Sequence, residues 1–161
     1  MYLLDADVLI QAKNAHYGFD FVPAFWDWLI QANDRGRVFS VEAVRDEILG
    51  GADELATWVG GLHGGFFLGT DAVVVPHLRY VASWANASSQ YRQVAVRTFL
   101  AAADYQLIAQ ARARQFVVVT HERSEPNSVR KIKIPDACAG VGVRSITPWE
   151  LLRGERARFR L

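Results

Sequence analysis

A single cysteine, Cys138, stands among 161 residues, so no internal disulfide can form. That points to a reducing cytoplasm, and to a small buried apolar residue rather than a catalytic thiol. No apolar run approaches the roughly 18 residues needed to span a bilayer, so no membrane partner is expected. The start, Met1-Tyr2-Leu3-Leu4, runs directly into Asp5 and Asp7, unlike the basic and then apolar opening of a signal peptide. His16, His63, His77 and His121 lack the spacing of a zinc site. Internal repeats, low-complexity tracts and long linkers are missing too, so one domain over 1–161 is expected.

What is present is a globular composition, 51% hydrophobic and 22% charged. The net charge of +1 conceals a division. Residues 1–80 hold 5 Lys/Arg and 11 Asp/Glu, whereas residues 81–161 hold 13 and 6. Acidic and basic surfaces in one compact domain suit a site that binds cations and then a polyanion.

Tyr2-Leu3-Leu4 reads as a short buried strand and Arg37-Val38-Phe39 as a second. Ala72 to Val75 is a weaker third candidate. Phe116 to Val119 is the strongest, a β-branched run suited to burial on both faces, and Val141-Gly142-Val143 is a last candidate. Helices are expected at Val8–Ile10, Pro23–Asn33, Asp53–Val59, Arg79–Trp84, Tyr91–Phe99 and Leu100–Arg114. Ser40 can cap a helix that Gly50 and Gly51 stop, and Thr147-Pro148 opens a terminal helix. Strands alternating with helices imply a parallel sheet covered on both sides, with ligands at the carboxyl ends of its strands.

Acidic residues follow those ends. Asp5 terminates a buried apolar strand, where its charge needs compensation, and Asp7 lies two residues on, where a helix cap is the alternative. Glu47 borders the Val41/Val44/Ile48 stripe of its helix. Asp104 falls on an apolar face with Leu100, Leu107 and Ile108, so it needs a cation, hydrogen-bond donors or a raised pKa. Glu122 follows the strongest strand through Thr120, whose hydroxyl could orient the site or merely end the strand. Four carboxylates at one sheet edge could hold one or two Mg²⁺ or Mn²⁺ ions, which activate water and stabilise charge during attack on phosphorus.

Four blocks carry a resemblance: Leu3-Leu4-Asp5-Ala6-Asp7-Val8-Leu9-Ile10, Asp46-Glu47-Ile48, Ala103-Asp104-Tyr105-Gln106-Leu107-Ile108-Ala109 and Val119-Thr120-His121-Glu122. In this order they resemble the PIN-domain family of metal-dependent nucleases, above all its compact VapC-like branch, from Tyr2 to about Leu152. The resemblance implies a three-layer α/β/α fold around a parallel sheet of about five strands. It implies catalytic acids at Asp5, Glu47, Asp104 and Glu122, with Asp5, Asp104 and Glu122 as ligands to Mg²⁺ or Mn²⁺. The implied activity is endoribonuclease cleavage leaving a 5′-phosphate, commonly by a homodimer and often by a toxin restrained by a cognate antitoxin. Two positions depart from the family pattern: Asp7 stands where many relatives carry asparagine, and Glu122 where aspartate or asparagine is commoner. Asp136, in Ile134-Pro135-Asp136, is an alternative fourth acid, and Asp7 and Thr120 are candidate supporting residues. Related folds cut DNA as well, and the sequence does not choose between the polymers.

Arg112, Arg114, Arg123, Arg130, Lys131 and Lys133 surround these acids in sequence, and the last four are candidate RNA contacts. The tail from Arg153 to Leu161 adds four arginines that could grip RNA or a partner. Trp26, Trp28, Trp58 and Trp84 are expected in the core or at a subunit interface rather than as stacking platforms. Two rival readings bear on the same residues. A haloacid-dehalogenase-like phosphatase would also place an Asp5-x-Asp7 pair after a strand, but it wants a late Gly-Asp-x-x-x-Asp, and none is found. A PIN-like domain that binds without cutting would be marked by erosion of the acidic set, whereas all four positions are acidic.

Overall fold

A computed structural model describes residues 1–159. Strand β1 (Tyr2–Leu4) lies at the centre of a parallel sheet with β2 (Val38–Val41), β3 (Phe67–Leu68), β4 (Val117–Val119) and β5 (Ser145–Ile146), in the order β3-β2-β1-β4-β5. Leu3, Leu4, Val38, Val118 and Val119 are fully buried, as an apolar run covered on both faces requires. The chain steps from β1 to β2 and β3 on one side, then returns to add β4 and β5 on the other. The switch in direction therefore falls between β1 and β4, where such sheets open a crevice at their carboxyl edge.

The connections are helical. Helix α1 (Ala6–Gln11) runs into a π-helical turn, Ala12–His16, and α2 (Pro23–Asp34) returns the chain to β2. α3 (Glu42–Leu49) and α4 (Glu54–Gly61) precede β3. α5 (Val75–Ala87), α6 (Gln93–Ala101) and α7 (Ala103–Arg114) lead to β4, α8 (Ile134–Gly140) joins β4 to β5, and α9 (Pro148–Gly154) follows. One layer gathers Val8, Phe25, Trp28, Leu29 and Leu151 of α1, α2 and α9 around Leu4. The other is built on α7, which packs on β2, β4, α3, α5 and α8 through a flank of Leu107, Ile108 and Ala111. Trp26 and Trp28 are buried, and Trp58 and Trp84 are packed against the core. No helix among the described residues is long and apolar enough to cross a membrane.

Several expected elements move. The third strand is Phe67–Leu68; residues 72–74 form a turn in which the Asp71 carboxylate accepts from the amides of Val73 and Val74, and Val75 starts α5. The last strand is Ser145–Ile146 rather than Val141–Val143, because Gly142 turns there with φ +73° after α8. Ser40 is not a helix cap: it lies inside β2, and its buried hydroxyl donates to the Leu4 carbonyl at 2.6 Å. The segment from Leu100 to Arg114 is not one helix. Ala102 takes an extended conformation, φ −88° and ψ 160°, which separates α6 from α7 and puts Asp104 in the first turn of a new helix. The tail is described only to Phe159; Arg160 and Leu161 of the expected basic tail lie outside the described residues.

Candidate acidic site

The pairing register carries Asp5 and Thr120 one step beyond β1 and β4, whose last partners are Leu4 and Val119. The Asp5 amide still donates to the Val119 carbonyl at 3.1 Å, so the two side chains sit side by side at the switch point. Asp5 precedes α1 directly, but its carboxylate caps no amide of that helix. It accepts instead from the Thr120 hydroxyl at 3.0 Å, and the same hydroxyl accepts from the Glu122 amide at 3.1 Å. The Thr120 side chain, 2% exposed, thus ties Asp5 to the loop that presents Glu122.

Asp5 is only 5% exposed and, among the described residues, forms no salt bridge. Burial, aided by the neighbouring charge of Asp104, pushes its carboxyl up to about 7. Asp104 is raised to about 6, chiefly by burial and then by the charges of Glu122 and Glu47. Such a rise corresponds to about 3 kcal/mol against the charged form. The positive end of α7, worth about 0.3–1 kcal/mol to a nearby anion, cannot offset it. Asp7, Glu47 and Glu122 lie close enough to act electrostatically on this pair. Asp7, in the first turn of α1, also accepts a long 3.4 Å hydrogen bond from Gln11. Glu47 is exposed on α3, at the outer margin.

Glu122 is held differently. One carboxylate oxygen accepts from Lys131 Nζ at 2.5 Å and the other from the Ile134 amide at 2.8 Å, at the start of α8. Asp136, in α8, is turned to the loop that precedes this helix, accepting from the Ser124 hydroxyl and, at 2.8 Å, from the Glu125 amide. Among the described residues, no three carboxylate, imidazole or thiol groups are already gathered as ligands of one ion. Like charges without a counter-ion repel, and Glu122 is engaged elsewhere. The donor chemistry nonetheless fits a hard divalent cation: two neighbouring carboxylates, one almost wholly buried, stay raised although the Lys131 charge acts on Asp104 in the opposite direction.

The basic residues divide. Arg130 and Lys131 line a cavity of about 60 Å³ together with Asp104 and Thr98. Arg123 lines an open polar cleft of about 270 Å³ with Thr120, Glu122 and Thr147. Lys133 pairs with Glu125 at 3.3 Å. Arg112 and Arg114 leave the set, because they lie at the far end of α7, roughly 12–15 Å along the helix from Asp104. Arg112 stacks 3.6 Å over the Tyr80 ring and bonds His77 and the Val141 carbonyl, while Arg114 pairs with Asp71 at 2.6 Å. His121 packs against His16 and Trp149, and burial lowers its pKa. Cys138 is buried, with its thiol pushed up to about 12 by desolvation, which makes it inert. The Lys131–Glu122 pair carried no sequence signal, since a loop of nine residues and the start of α8 create it.

A family model covers residues 2–159, and it describes a domain of unknown function, DUF4411. The chain belongs to the DUF4411 family. No curated protein matches the sequence. Among solved structures, a chain from FitAB bound to an IR36 DNA fragment superposes with a TM-score of 0.56 at 18% identity, covering 92% of this chain and 96% of that one. At that identity the likeness concerns the fold, and this DUF4411 chain has a PIN-like fold: a five-stranded parallel sheet flanked by helices.

Proposed function

We propose that this DUF4411 protein is a Mg²⁺- or Mn²⁺-dependent endoribonuclease whose centre is the crevice between β1 and β4. The single observation behind the reading is that Asp5, almost wholly buried at the switch point of the sheet, lies within the field of the Asp104 carboxylate. Evolution rarely leaves such a pair in a core unless a ligand completes it. Asp5 and Asp104 would hold the ion, Glu122 would join them, and Glu47 and Asp7 would add negative charge at the margin. When bound, a divalent cation supplies a water of lowered pKa and neutralises charge on the attacked phosphate. Thr120 fixes the Asp5 carboxylate through its hydroxyl, sparing the buried acid a free rotation. Arg123 and Arg130 flank the acids on two clefts and would position phosphates, as would Lys131 and Lys133. Asp136 ranks below Glu122 as the fourth acid, because the charge of Glu122 acts on both Asp5 and Asp104, whereas Asp136 is tied to Ser124 and Glu125.

A cytoplasmic toxin controlled by an antitoxin, and working as a homodimer, is the wider setting that the VapC-like motifs imply. The test is incubation of purified protein with labelled single-stranded RNA in Mn²⁺ or Mg²⁺, beside EDTA and Asp104→Asn. Cleavage lost in both controls supports the assignment; cleavage that survives Asp104→Asn removes the site from it. A PIN-like domain that binds RNA or protein without cutting is the second reading, favoured by Glu122 being held by Lys131 and the Ile134 amide. No cleavage of varied RNAs and no bound Mn²⁺ would select it.

A further inference from the structure

The Lys131 ammonium, in the loop after β4, acts on Asp104 through its charge and engages one acid, Glu122, directly. Its Nζ donates to Glu122 at 2.5 Å, while the other Glu122 oxygen accepts from the Ile134 amide. The charges of Asp104 and Asp5 also act on Lys131, so the ammonium stands within the field of the whole cluster. Lys131 and Asp104 line the same small cavity, which places the ammonium between Glu122 and Asp104. Glu122 cannot turn both oxygens inward while this arrangement lasts. The lysine side chain is 57% exposed and its partner 16%, so the pair is weak enough to open.

We propose that Lys131 is a tethered counter-cation that withholds Glu122 from the metal site and competes with a divalent ion for the cluster. This rests on the metal-dependent reading above and adds a control to it. A phosphate of the polyanion offers Lys131 another partner; once the ammonium leaves, Glu122 is freed for the ion. Substrate and cation would therefore favour each other's binding through one lysine. Lys131 is a positioning residue here, acting through Glu122.

The test is calorimetric titration of the intact chain with Mn²⁺ alone, at pH 8 and without RNA. Lys131→Met should tighten Mn²⁺ binding about two- to fivefold, the range set by an exposed ion pair. Lys131→Arg, which keeps the charge and the donor, should restore the original affinity. Lys133→Met removes an equal charge two residues away, from a lysine paired with Glu125, and should change the affinity much less. Unchanged or weaker binding in Lys131→Met overturns the competition while leaving the metal reading intact. An equal gain in Lys133→Met overturns it too, since bulk charge alone would then account for the effect. Absence of Mn²⁺ binding in every protein overturns both the competition and the metal site.

Discussion

Two sets of carboxylates in this molecule are treated in opposite ways. On the outer surface Asp53 pairs with Lys13 at 2.7 Å, Asp71 with Arg114 at 2.6 Å and Glu155 with Arg37 at 2.6 Å, while Glu150 closes a capping box with Thr147. Hydrogen bonds from these partners hold all four below the usual carboxylate range. At the carboxyl edge of β1 and β4 both aspartates are raised instead, Asp5 by burial and the charge of Asp104, Asp104 by burial and the charges of Glu122 and Glu47. The outer carboxylates thus have basic or helix-capping partners in direct contact, whereas Asp5 at the switch point of the sheet has only the neutral Thr120 hydroxyl and Asp104 feels Lys131 only at longer range. Burying carboxylates with so little direct compensation costs stability, and perturbed acids of this kind concentrate at functional sites.

The sharpest way to break this contrast is to neutralise one acid from each set. Asp104→Asn should lower Mn²⁺-dependent RNA cleavage by at least ~100-fold, since even outer partners of metal ligands are worth 10–100-fold. Asp71→Asn, read in the same gel assay, should leave cleavage unchanged.

The next effect concerns stability and pH. Asp5 at about 7 and Asp104 at about 6 lie above an unfolded aspartate near 4, so the folded chain binds more protons between those values. Stability of the metal-free protein should therefore fall as pH rises from about 4 to about 7, by on the order of 4 kcal/mol from Asp5 alone. The outer acids have the opposite sign: their contribution is present above the unfolded pKa and is lost as pH falls through their lowered values. Urea unfolding across pH checks both, and Asp5→Asn should flatten the loss above pH 5 without touching the acid limb. Added Mn²⁺ should raise Tm more at pH 8 than at pH 5, because protonated carboxyls bind no cation.

How legible this was from the sequence differs by level. The central strands were readable because Leu3-Leu4 and Val117-Val118-Val119 are buried on both faces and carry an unmistakable apolar run. β3 and β5 were misplaced because two-residue edge strands have no periodicity, and their pairing is set by neighbours. Asp5 was recognisable as a charge ending an apolar strand. Asp104 was singled out for a partly mistaken reason: Leu100 belongs to α6, and the break at Ala102, with no proline or glycine to announce it, puts the acid at a helix start. The Thr120 hydroxyl link and the Lys131 clasp on Glu122 depend on three-dimensional proximity alone.

Smaller effects sharpen the picture. Thr120→Val removes the donor to a buried carboxylate and should destabilise by about 1–3 kcal/mol, with a fall in cleavage that Thr120→Ser restores. Glu155→Gln loosens an Arg37 pair that is largely exposed on the arginine side and should cost less than about 1 kcal/mol, with cleavage unaffected.

The most direct measurement is anomalous diffraction from crystals grown with Mn²⁺. A peak within ligand distance of both the Asp5 and Asp104 carboxylates, absent in Asp104→Asn, is the predicted result. Ordered crystals at millimolar Mn²⁺ with no peak in the crevice between β1 and β4 would contradict the claim that these acids await a cation.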